Sequence, residues 1–68
     1  MVRVNELRAA RVRAGKTQKD AAYVCGCSVN TYGNKESGRT AFTVDEVVLL
    51  CDFLGINDPE QRAYIFLA

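Results

Sequence analysis

Three cysteines, at 25, 27 and 51, and the adjacent carboxylates Asp45 and Glu46 are the side chains in this 68-residue chain that could hold a metal, carry a redox step or exchange a proton. Their spacing supports none of these. Cys25-Gly26-Cys27 has one residue between the thiols where redox and zinc motifs have two, and the chain has no histidine to complete a metal site. Asp45 and Glu46 follow Thr43, where capping and the dipole of a helix start account for them. No serine or cysteine has an evident base, and there is no glycine-rich phosphate loop. An enzyme is therefore not expected, and neither is a cofactor, a metal or a small-molecule substrate. The thiols read as small packing groups.

The remaining chemistry is electrostatic. Net charge is only +1, but residues 1–42 hold eight cations (Arg3, Arg8, Arg11, Arg13, Lys16, Lys19, Lys35, Arg39) against Glu6, Asp20 and Glu36, a balance of +5. Residues 43–68 hold Arg62 against Asp45, Glu46, Asp52, Asp58 and Glu60, a balance of −4. A chain divided in this way can present one face that attracts polyanions, although ordinary surface charge would give the same balances.

Positioning such a face falls to short helices. The length allows one compact domain over 1–68, too small for a deep catalytic cleft. No window keeps the period-two alternation of a strand. Asn5 is placed to cap a first helix ending near Ala14, with Leu7 and Ala10 inward and Gly15 as its stop. Thr17 caps a second over Gln18 to Cys25, which Gly26 ends, and Ser28 caps a third that runs to about Ser37 before Gly38. Thr43-Val44-Asp45-Glu46 is a capping box opening a fourth helix, with Val44, Val47, Val48, Cys51 and Leu54 at helical spacing. Asp58-Pro59 opens a fifth, at about 59–67. The reading is an all-α, compact five-helix domain. Its longest apolar stretches, Val47–Cys51 and Ala63–Ala68, fall far short of the ~20 residues that span a bilayer, and Met1-Val2-Arg3-Val4 begins no signal core. A cytoplasmic location away from membranes is expected.

The glycine-ended second helix, the two-residue link and the capped third helix suit a helix-turn-helix at about 17–37. Thr17, Gln18, Ala22, Gly26, Ser28, Thr31, Glu36 and Gly38 together resemble the lambda-repressor-like, Cro/CI-type (Xre) helix-turn-helix family, whose pattern T-Q-x-x-x-A-x-x-x-G-x-S-x-x-T-x-x-x-x-E-x-G they match at eight positions. The resemblance extends from about residue 5 to 57. It implies double-stranded DNA as the partner, with helix three in the major groove. Val29, Asn30, Thr31, Gly33 and Asn34 would then face the bases; asparagine can pair bidentately with adenine and valine can pack on a thymine methyl. Gln18, Lys19, Ser28, Lys35, Arg39 and Thr40 would meet phosphates, which position the domain without reading sequence. The resemblance also implies a structural ion pair between Arg11 and Glu36, and a core role for Tyr32. Lys16, Lys35 and Phe42 depart from the family's usual Leu, Trp and Pro.

The apolar C-terminal third leaves two outcomes open. Leu50, Phe53, Tyr64, Ile65, Phe66 and Leu67 either form a homodimer interface or close the core of one subunit. The implied function is a sequence-specific DNA-binding transcriptional regulator, a small repressor or Cro-like switch. The alternative is a protein-interaction module on the same scaffold, an antitoxin-like or regulatory partner with weak or no DNA binding.

Overall fold

The computed structural model describes residues 2–67. Met1 and Ala68, the outer limits of the expected 1–68 domain, lie outside the described residues. Five helices follow in order: α1 (Val4–Arg13), α2 (Gln18–Cys25), α3 (Val29–Glu36), α4 (Val44–Leu54) and α5 (Pro59–Phe66). No strand occurs among the described residues.

Local chemistry sets most of the boundaries. Thr17 accepts from the Asp20 amide while Asp20 accepts from the Thr17 amide, a reciprocal capping box that uses an Asp in place of Glu. Ser28 accepts from the Thr31 amide, Thr43 and Glu46 form the second capping box, and Asp58 accepts from the Glu60 amide ahead of Pro59. Gly26 stands at φ 72°, a left-handed conformation that costs a residue with a Cβ, and this lets the chain turn at once from α2 into α3.

The start of α1 departs from expectation. Asn5 lies inside the helix, and Arg3 at the N-cap position makes no side-chain cap. The entry is held by tertiary contacts instead: the Arg3 amide donates to the Ile65 carbonyl (2.6 Å) and Arg3 Nε donates to the Tyr64 carbonyl (2.8 Å). These carbonyls belong to the last turn of α5, which has no further helical amides to satisfy them. The guanidinium also lies 4.3 Å from the centre of the Tyr64 ring.

The core joins Leu7 and Ala10 of α1, Ala21 and Ala22 of α2, Tyr32 of α3, Leu50, Cys51 and Leu54 of α4, Ile56, and Ile65 and Phe66 of α5. Small residues at 21 and 22 let α3 cross closely over α2. Phe42, half-buried between α3 and α4, stacks edge-on with Tyr32 (6.2 Å) and with Phe66 (5.5 Å), which links α3 to α5. Burial pushes the Cys25 thiol up to about 11 and raises that of Cys51, as expected of packing thiols.

Two expectations for the C-terminal third need correcting. Val44 and Val48, placed in the core stripe of α4, are exposed at 79% and 45%; the inward ridge is Val47, Leu50, Cys51 and Leu54. Leu50, Ile65 and Phe66 are buried within one subunit and so are not available to a dimer interface. Phe53 is half-buried beneath Lys16, whose Nζ lies 4.9 Å from its ring centre. Of the proposed interface residues, Tyr64 and Leu67 remain exposed.

Candidate nucleic-acid interface

At 100° per residue, the eight positions of α3 divide into two faces. Tyr32, Lys35 and Glu36 turn inward and are buried. Opposite them lie Asn30 and Asn34, one turn apart on the outward ridge, with Thr31 and Gly33 at its flanks; Val29, in the first turn, falls nearer the Glu36 side. Val29, Asn30 and Thr31 are exposed, whereas Gly33 and Asn34 are half-buried. The amide side chains of Asn30 and Asn34 have no hydrogen-bond partner among the described residues. The Asn34 carbonyl accepts from Ser37 Oγ and from the amides of Arg39 and Thr40. Ser37, seven residues after Asn30, is exposed near the same ridge and was missed from sequence; its i+7 spacing was the available signal.

The inward face of α3 is anchored by a buried charge. Glu36, fully buried, accepts from Arg11 Nε (2.7 Å) and Tyr32 Oη (3.0 Å) at Oε1, and from Gln18 Nε2 (2.8 Å) and Arg11 Nη2 (3.3 Å) at Oε2. Arg11 Nη1 also donates to the Lys16 carbonyl, which ties the end of α1 to the entry of α2. Burial alone would raise the Glu36 pKa, but hydrogen bonds from Arg11, Gln18 and Tyr32 and the charge of Arg11 outweigh it and hold the carboxyl below its ordinary value. One carboxylate thus fixes α1, α2 and α3 relative to one another. Arg8, half exposed, stands 3.8 Å from it and was not anticipated.

The expected phosphate contacts divide. Lys19 is exposed in the first turn of α2, and Arg39 and Thr40 are exposed just past the end of α3; Gln18, next to Lys19, reaches Gly33 and Glu36, so these groups gather towards the C-terminal half of α3. Ser28 is exposed, but its hydroxyl is engaged at the start of α3, accepting from the Thr31 amide and donating to Thr31 Oγ1. Gln18 has its Nε2 committed to Glu36, so that Oε1 faces Gly33, 3.9 Å from where a Cβ would stand there. The backbone amides at the start of α2 therefore suit an anion better than this side chain does.

Lys35 must be withdrawn from the set. Its Nζ donates to both oxygens of Glu46 (2.6 and 2.8 Å), and the residue is 8% exposed. Glu46 is drawn in because it is also the N3 residue of the α4 capping box, accepting from the Thr43 amide. Burial would raise its pKa, yet Lys35 and the Thr43 amide together lower it. The ammonium therefore locks α3 to α4 and does not point to the outer ridge.

A family model described as a helix-turn-helix domain matches residues 4–65 of the chain. No curated protein and no solved structure gave a match. With α2, the tight turn at Gly26 and the outward ridge of α3 in place, the chain belongs to the helix-turn-helix domain family, in a form consistent with the Cro/CI type that its motif residues resemble.

Proposed function

We propose that the chain is a sequence-specific transcriptional regulator, a small repressor or Cro-like switch, that lays α3 in the major groove and acts by occupying its site without catalysing a reaction. A helix-turn-helix domain in general indicates a DNA-binding regulator. The observation that carries this reading is the outward ridge of α3, where Asn30 and Asn34 hold amide side chains that no other described residue engages, beside the exposed Val29. Such amides match adenine edges, and such a valine matches a thymine methyl. Lys19 and Arg39 supply charge beside the C-terminal half of α3.

The regulator acts as a homodimer. The longest dimension of one subunit is 28 Å, less than the ~34 Å that separates successive major-groove turns on one side of a duplex, so a second copy is needed to reach a second half-site. Tyr64 and Leu67 are the part of the proposed interface that remains exposed.

Titration of the isotopically labelled protein with random-sequence duplex at low salt tests the reading. Resonance shifts should concentrate on Lys19, Asn30, Asn34 and Arg39 and should fade steeply with added salt. Shifts on α4 and α5, or none, would favour the protein-interaction alternative.

A further inference from the structure

Away from the α3 ridge, α4 carries a second apolar ridge that the core does not use. Val44, Val48 and Leu49 keep 79%, 45% and 47% of their surface exposed; at 100° per residue Val44 and Val48 border Asp45 and Asp52 on one side and Leu49 borders them on the other. Val44 also walls a groove shared with Ala41, Phe42 and Leu67, so apolar surface continues from the groove onto the helix. Single exposed apolar residues are unremarkable, but three within about one and a half turns of one short helix form a patch that a partner can cover.

The charges beside this ridge select the partner. Asp45 and Asp52 share the outward side of α4, and Asp45 has no cationic partner among the described residues. Asp52 pairs with Arg62 Nη2 at 2.7 Å while 64% of its side chain stays exposed. Asp58 and Glu60 are exposed at the start of α5, and Arg62 is the one cation in residues 43–68. Nucleic acid is repelled from this side. A second copy docked across a two-fold axis would bring the same carboxylates towards each other.

We propose that the outer face of α4 docks a cationic amphipathic helix of a partner protein, with apolar side chains over Val44, Val48 and Leu49 and Lys or Arg beside Asp45 and Asp52. Val44 to Asp52 spans about 12 Å at ~1.5 Å per residue, a match for roughly two turns of the partner. This surface lies apart from the α3 ridge, so the site and the DNA reading stand or fall separately.

The test titrates the full labelled chain with a synthetic amphipathic Leu/Lys helix of about 15 residues and with the same helix carrying Glu for Lys. The Leu/Lys helix should shift resonances from Val44 to Asp52, bind more weakly as salt rises, and lose at least tenfold in affinity against the double variant Asp45→Asn/Val48→Ser. The Leu/Glu helix should not bind. Both substituted residues are exposed, so the variant should keep its melting curve and its duplex binding. Shifts elsewhere, no shifts, or equal binding of the two helices would overturn the proposal. So would sedimentation showing a wild-type dimer that Val48→Ser converts to monomer, since the ridge would then belong to a second copy.

Discussion

Replacing Glu36 by Ala should come close to unfolding the domain. The substitution removes the acceptor of four hydrogen bonds from three side chains. It leaves the Arg11 guanidinium, 11% exposed, with only the Lys16 carbonyl, and leaves the Tyr32 hydroxyl with no acceptor in the core. Removing one partner of a buried ion pair typically costs about 3–5 kcal/mol, because the remaining charge stays out of water without compensation. A domain of this length has total stability of roughly 3–10 kcal/mol. In a chain this short each kcal/mol moves the Tm by about 4–8 °C, so a fall of at least about 12 °C is expected in thermal melts followed by helical circular dichroism. Arg11→Met combined with Glu36→Gln should cost less than the sum of the two single changes, because the double variant strands no charge. Additive losses, or a loss for Glu36→Ala below about 1 kcal/mol, would refute the assignment of Glu36 as the group that holds α1, α2 and α3 together.

Acid should act through the same group. The folded pKa values of Glu36 and Glu46 lie below their ordinary 4.5, so their contribution is complete above that pH and is lost as pH falls towards the folded values. Urea midpoints should therefore drop below about pH 4.5, and Glu36→Gln should flatten that drop. Gly33→Ala should raise stability by about 0.5–1 kcal/mol, since Gly33 is in a helix interior at ordinary φ and a Cβ there meets nothing closer than 3.9 Å. The same change should weaken duplex binding, because the new methyl group lies beside the α3 ridge. Lys19→Ala should reduce the salt slope of duplex binding by about one, whereas Lys35→Met should leave the slope unchanged, its ammonium being bound to Glu46. Equal changes in slope would return Lys35 to the phosphate contacts.

Much of the fold was legible because its boundaries depend on nearby residues. Thr17, Ser28, Thr43 and Asp58-Pro59 cap helices within three residues of themselves, and Gly26 allows a turn whatever surrounds it. The entry of α1 was not legible, because Arg3 is held by α5 carbonyls 61 and 62 residues away. Lys35 reads as a surface cation until Glu46, eleven residues on, is seen to meet it. Val44 and Val48 satisfied helical spacing with Val47, Cys51 and Leu54, but which flank of that stripe turns inward is decided by packing against α2, and there Leu50 is buried in their place. In the candidate site, the outward position of Asn30 and Asn34 follows from periodicity alone. Gln18 was harder, since its amide is turned by a carboxylate on another helix.

Selection of bound duplexes from a random pool bears most directly on DNA recognition by α3. Enrichment of paired half-sites about one helical turn apart is predicted, with Asn30→Ala changing the preferred base at one position of each half-site while Lys19→Ala weakens all sequences alike. A pool that emerges unenriched, or an Asn30→Ala variant that selects the same sites as the unaltered protein, would contradict the account.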